Sequence, residues 1–243
     1  MAPVPAIRIR DVEVVRDGQR LVGPISLTVP AGERVVLLGR SGSGKTTTLR
    51  IINRMLEPTA GTVVVEGRET TAWDPVRLRR SIGYMVQEIG LLPHFTVARN
   101  VGIVPRLEGW PPARREGRVA ELLALVGLPV AEYGRRFPHE LSGGQRQRVG
   151  VARALAADPP VLLCDEPFGA LDAVTRAELQ REFVDLTTRL GKTVLFVTHD
   201  VQEAVRVGHR IVVLEAGTIR FDGTGDAFAA STDPAVRALR EPA

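Results

Sequence analysis

A single cysteine, three methionines and an aromatic content of 5% leave this chain few reactive or stacking side chains. Cys164 ends the apolar run Val161-Leu162-Leu163, which marks it as a buried small hydrophobe rather than a reactive thiol, and one cysteine excludes a disulfide framework. No apolar run approaches the ~20 residues that cross a bilayer, and Met1 to Arg10 lacks the continuous apolar segment of a signal peptide, so a cytoplasmic protein is expected. No aromatic and no histidine precedes Trp73. Lysine is nearly missing too: of 32 lysines and arginines, only Lys45 and Lys192 are lysines. The net charge of +4 is spread without a basic block that has aromatics interleaved, since Arg114-Arg115 and Arg135-Arg136 are short. Solvated surface charge is therefore expected, and no nucleic-acid partner.

What is present is an α/β pattern. The 243 residues, 44% of them hydrophobic, suffice for one large domain or two small ones. Ile7 to Val15 and Ile25 to Val29 alternate as half-buried strands and predict an antiparallel edge, and Gly61 to Gly67 reads as another short strand. Val35 to Leu38 and Val161 to Cys164 are unbroken apolar runs, as in buried parallel strands. Ile82 to Glu88 predicts a strand with a polar end, and Ile89 to Val104 contains the loop-like Leu92-Pro93-His94-Phe95-Thr96. Helices are predicted at 112–126, from Ser142 to about Ala157, at 175–190 and from Val201 to Val207, with a strand over 193–197 and a closing hairpin over 211–221. There is no repeat and no low-complexity linker.

Gly39-Arg40-Ser41-Gly42-Ser43-Gly44-Lys45-Thr46 stands between a predicted buried strand and a helix starting at Thr47, the context a phosphate loop requires. Its glycines let backbone N–H groups turn toward phosphate oxygens, and the helix start adds its positive dipole end. Lys45 can reach the β- and γ-phosphates, and Thr46 can ligate a bridging Mg²⁺. A chain this poor in lysine still has one where a compact point charge is needed. Asp165 and Glu166 end an apolar strand, where neighbours point to opposite sides, so Asp165 can hold the metal while Glu166 polarises an attacking water. Gln87 offers an amide to metal and water, and His199 offers a donor at another strand tip. Taken singly, a polar strand end explains Gln87, and a hydrogen-bonded structural histidine explains His199. His94 and His139 show no partner pattern and are read as structural. Ser142-Gly143-Gly144-Gln145 opens a helix and makes a second anion site, which points to a nucleotide sandwiched between two copies of the chain.

The set Gly39 to Thr46, Gln87, Leu141 to Gln145, Val161 to Glu166, Ala170-Leu171-Asp172 and His199, in this order, resembles the ATP-binding subunit of ABC transporters. The resemblance implies a P-loop NTPase core of the RecA type with an antiparallel β edge and an inserted helical subdomain. The core would be 1–87 and 158–225, the helical subdomain 88–157 and a C-terminal tail 226–243. It implies ATP and Mg²⁺ bound by Gly39, Ser41, Gly42, Gly44, Lys45, Thr46 and Thr47, with Thr46, Gln87 and Asp165 on the metal. Glu166 would be the catalytic base, His199 the γ-phosphate switch, and Gln87 a further catalytic group. Two subunits would meet head to tail, with Ser142, Gly144 and Gln145 of one completing the other's site and Asp172 lining the contact. The further stretches Asn53 to Thr59, Gln87 to His94, Asn100 to Pro105 and Arg148 to Leu155 look like the ATPases of importers for quaternary-amine osmoprotectants such as glycine betaine, carnitine or choline. Permease subunits and, indirectly, an extracytoplasmic substrate-binding protein are the implied partners, with the chain peripheral on the cytoplasmic face of the cell (inner) membrane. The permease would dock on the loop after Gln87. An ATPase for another small solute, or a soluble ABC ATPase not tied to transport, is the competing reading. One departure stands out: where the family places an adenine-stacking aromatic before the phosphate loop, this chain has Arg16-Asp17-Gly18, so weak base recognition is expected.

Overall fold

The computed structural model describes residues 4–87 and 89–240, and these fall into two compact units, one from the described parts of 1–79 and 191–243, the other from those of 80–190. In chain order the strands are β1 (Ile7–Arg16), β2 (Gln19–Val29), β3 (Arg34–Leu38), β4 (Ala60–Val65), β5 (Arg68–Glu69), β6 (Ile82–Met85), β7 (Val161–Asp165), β8 (Thr193–Thr198), β9 (Arg210–Glu215) and β10 (Thr218–Gly223).

In the first unit the expected antiparallel edge is a four-stranded sheet of order β2-β1-β4-β5. The apolar set of β1 changes parity, with Ile7 and Ile9 buried and then Val12 and Val14. A register shift between Ile9 and Val12 absorbs the extra residue, with Asp11 in left-handed backbone (φ 47°) and its carboxylate accepting from the Ser26 hydroxyl. That is a bulge, and it keeps one face of β1 apolar along its length. The five residues of β3 are all buried between parallel neighbours β8 and β9, which is why the run carries no polar alternation. A tight hairpin joins β9 to β10 through Ala216 and Gly217, both left-handed. The described part of the C-terminal tail holds most of helix Gly225–Ala230 and all of helix Pro234–Arg240, anchored by buried Phe228 and Val236.

In the second unit β6 runs parallel to β7, with Ile82 opposite Val161 and Met85 opposite Cys164, and Cys164 is fully buried as expected. Helix Gly143–Leu155 lies so close to β6 that a Cβ at Gly83 would sit 2.4 Å from the Ala154 carbonyl oxygen. Helix Pro112–Leu125 turns Val119, Leu122 and Leu123 inward, following the predicted i, i+3, i+4 spacing. The loop-like residues Leu92 to Thr96 form no helix or strand, and helices Val97–Val101 and Ile103–Leu107 follow them. Asn100, fully buried, holds that region together: its amide donates to the carbonyls of Leu92, Phe95 and Thr96 and accepts from the Leu92 N–H. In this unit helix Ala173–Arg189 is tied to helix Gly143–Leu155 by an ion pair between Arg148 and Glu182. Among the described residues no helix is long and apolar enough to cross a membrane.

Candidate active site

In the first unit, the turn that follows β3 is shaped by its glycines. Gly42 and Gly44 have φ of 78° and 102°, and a Cβ at Gly39 would fall 2.3 Å from the Leu214 carbonyl oxygen and 2.6 Å from Ser43 Oγ. Any side chain at Gly39 therefore displaces backbone. Helix Lys45–Ile52 starts at once, with the Thr48 N–H and hydroxyl both donating to the Gly44 carbonyl at 2.9 Å. Lys45 is 4% exposed, and its ammonium donates to the carbonyls of Gly39 (2.8 Å) and Arg40 (2.9 Å). The charge is thus held over the turn by two fixed dipoles. Thr46 and Thr47 are half-buried in the first helical turn, while Ser41 and Gly42 face solvent. Leu38 pairs with Thr198 across β3 and β8, so Gly39 and His199 leave the same end of two adjacent parallel strands. Ligands of open α/β sheets bind outside such strand ends. His199 is exposed, and the turn beneath it is fixed by Asp200, which caps helix Val201–Val207 by accepting from the N–H groups of Gln202 and Glu203.

The second unit brings the remaining predicted residues into two groups. Gln87 and the pair Asp165-Glu166 lie at the carboxyl ends of β6 and β7, again adjacent and parallel. Asp165 is buried (8% exposed), whereas Glu166 is half-buried on left-handed backbone with φ 45°. Arg153 secures the segment after Gln87 by donating to the carbonyls of Ile89 (2.7 Å) and Gly90 (2.6 Å), and its burial lowers its pKa. Nothing in the residue pattern pointed to that arginine, because its partners lie more than sixty positions away in the chain. Glu88 lies outside the described residues.

The other group is built from two helix starts. Ser142 caps helix Gly143–Leu155 with a capping box: its hydroxyl accepts from Gln145 N–H (3.2 Å) and Gln145 Oε1 accepts from Ser142 N–H (2.9 Å). Asp172 caps helix Ala173–Arg189 by accepting from Thr175 N–H at 3.0 Å, and the hydrogen bonds from Thr175 hold its carboxyl below the usual range. The first turns of these helices abut, since a Cβ at Gly144 would lie 2.9 Å from Thr175 Cγ2 and one at Gly143 would lie 3.6 Å from Leu171 Cδ2. Three groupings result: the phosphate loop with His199, Gln87 with Asp165 and Glu166, and Ser142 to Gln145 with Asp172. Among the described residues no three His, Cys, Asp or Glu side chains come together as a metal cage. A hydroxyl such as Thr46 and a single buried carboxylate such as Asp165 fit Mg²⁺, which usually keeps water and substrate phosphates as its other ligands.

The profile of the ABC transporter family matches residues 22–169. The chain belongs to that family. Among curated relatives, it is 51% identical over 214 residues to the glycine betaine/carnitine/choline transport ATP-binding protein OpuCA of Bacillus subtilis (strain 168), covering 88% of this chain and 56% of that one. It is 50% identical over 208 residues to the osmoprotectant import ATP-binding protein OsmV of Salmonella typhimurium, covering 85% of this chain and 54% of the other. The ABC chain thus spans about half the length of these relatives. In three dimensions it matches an ATP-binding cassette solved as a dimer in a post-hydrolysis state with ADP and Pi, at TM-score 0.79 and 33% identity over 90% of this chain and 98% of that one. The expected P-loop NTPase fold is therefore the observed one.

Proposed function

We propose that this chain is the ATP-hydrolysing subunit of an ABC importer, powering uptake of quaternary-ammonium osmoprotectants such as glycine betaine, carnitine or choline through a membrane permease. The observation that carries the ATPase reading is Lys45, almost wholly buried and aimed over a glycine turn at the mouth of parallel strands. Gly39, Ser41, Gly42, Gly44, Lys45, Thr46 and Thr47 bind the phosphates through backbone N–H groups, one ammonium and hydroxyls. Thr46, Gln87 and Asp165 would hold Mg²⁺, which when bound neutralises charge on the β- and γ-phosphates. Glu166 accepts a proton from the attacking water, Gln87 orients that water, and His199 donates to the γ-phosphate. Ser142, Gly144, Gln145 and Asp172 of a second copy complete the site, which makes nucleotide the adhesive of a homodimer.

The importer reading rests on the identity, at about half of all positions, to proteins named for quaternary-amine and osmoprotectant transport. The permease would dock beside the segment that follows Gln87. A groove of about 790 Å³ there is lined by Phe95, Ile103, Leu107, Val119 and Val130, with Arg99 and Arg106 on its rim. A permease helix with an apolar face suits it, because its walls are chiefly apolar. The chain would then lie peripherally on the cytoplasmic face of the cell (inner) membrane, served indirectly by an extracytoplasmic substrate-binding protein. The test is Glu166→Gln, which removes only the proton acceptor. The variant should bind ATP, accumulate as a dimer with ATP and Mg²⁺, and turn over at least about a hundredfold more slowly, whereas Lys45→Ala should lose ATP binding. Hydrolysis by Glu166→Gln at the parental rate would refute the assignment.

A further inference from the structure

The two helix starts that carry Ser142 and Asp172 share a device. Counting from each cap, the fourth helical residue is an arginine, Arg146 in one helix and Arg176 in the other. Side chains on a helix point back toward its N-terminus, so each guanidinium folds over the first turn. Arg146 Nη1 donates to the Leu141 carbonyl at 2.7 Å, and Arg176 Nη2 donates to the Leu171 carbonyl at 2.7 Å. In both cases the acceptor belongs to the residue just before the cap. The loops so held touch each other, through Leu171 beside Gly143 and Thr175 beside Gly144, and Arg146 Nη2 itself lies 4.0 Å from where a Gly143 Cβ would be.

This is an odd place for a cation if the only task were to hold a helix together. The positive end of a helix disfavours arginine; the Arg146 turn contains no acidic residue, and the Arg176 turn carries the Asp172 carboxylate at its cap. A positive charge there is favourable when an anion approaches the same turn. We infer that Arg146 and Arg176 are positioning residues for nucleotide-driven dimerisation. Each clamps the carbonyl before a cap, so that Ser142 to Gln145 and Asp172 are presented in fixed register, with added positive potential, to the triphosphate bound by the opposite subunit. The inference rests on the head-to-tail dimer proposed above.

Its test uses the full chain carrying Glu166→Gln, with ATP and Mg²⁺, and reads the dimer dissociation constant by sedimentation. Arg146→Met and Arg176→Met keep most of the side-chain stem and remove the donor. Each should weaken dimerisation about tenfold, the scale of one charge-assisted hydrogen bond, while ATP binding by the monomer and its unfolding midpoint stay at parental values. Arg146→Lys and Arg176→Lys, which retain a donor and the charge, should recover most of the affinity. Because the clamped loops are in contact, the double methionine variant should fall short of the product of the single effects. Dimerisation of the methionine variants at parental strength would overturn the inference. So would a loss of monomer stability or folding in step with the loss of dimerisation, since that would assign both arginines to the fold alone. A Glu166→Gln parent that stays monomeric would instead refute the dimer proposal itself.

Discussion

Asn100 is the residue whose replacement this structure prices most clearly. Removing its side chain in Asn100→Ala takes a hydrogen-bond partner from four backbone atoms in the stretch after Gln87, but not all equally. The Leu92 carbonyl also accepts from Phe95 N–H, and the Thr96 carbonyl from Asn100's own N–H, so both keep a donor. The Leu92 N–H and the Phe95 carbonyl lose the partners seen here. Each stranded backbone group costs about 1–2 kcal/mol, which sets the alanine variant near 3 kcal/mol of destabilisation. Asn100→Asp should be worse, because an anionic oxygen would replace the amide nitrogen among three carbonyl oxygens at a fully buried position. Urea unfolding can place the loss as well as size it, since Trp73 lies in the first unit and Trp110 in the second. With Trp73→Phe, the remaining indole should report a transition moved to lower urea, and protease cleavage within residues 89–96 should accelerate. If both Asn100 variants unfold within about 0.5 kcal/mol of the parent, the network has been misjudged.

Two further outcomes are expected. The β1–β2 turn presents Asp17 and Gly18 in left-handed backbone, with Arg16, Asp17 and Gly18 all exposed, and it contains no ring for a base to stack on. GTP should therefore compete with ATP to within about tenfold, as one lost stack is worth roughly 1 kcal/mol; strong ATP preference in a competition assay would reject this. The other concerns His209, whose Nδ1 accepts from Arg34 N–H while Glu33, Arg34 and Arg210 surround it. Burial first, and then the Arg34 charge, depress its pKa. The folded state therefore binds this proton less readily than the unfolded chain, so stability declines as pH falls from about 6.5 toward the depressed folded value. His209→Gln should flatten the melting temperature between pH 6.5 and 5, and an unchanged slope would remove His209 from the account.

Much of this architecture could be read from residue order because the decisive signals were local. The apolar runs of β3 and β7, the 3.6-residue spacing over Val119 to Leu123 and the cap at Ser142 each act within one element. Helix Pro75–Ser81 and the two C-terminal helices also carry local signals, namely Asp74-Pro75, Thr224 and Asp233-Pro234. Asp172, expected at the subunit contact, also caps a helix. Arg153, Asn100, Arg146 and Arg176 were missed for a different reason. Each acts on backbone carbonyls, and a carbonyl carries no mark of residue type in a sequence. The phosphate loop was legible as a motif, but the carbonyls that hold Lys45 are a matter of chain path.

Glu166 stands where the chain turns through left-handed backbone, a conformation that costs an ordinary L-residue about 1–2 kcal/mol and a glycine almost nothing. A sequence drifting under selection for thermal robustness alone would lose its carboxylate at that spot. With Glu166 in the proposed role of proton acceptor, heat tolerance and turnover pull on the same side chain in opposite directions, and stabilised variants recovered by screening without substrate should be checked first for what they carry at residue 166.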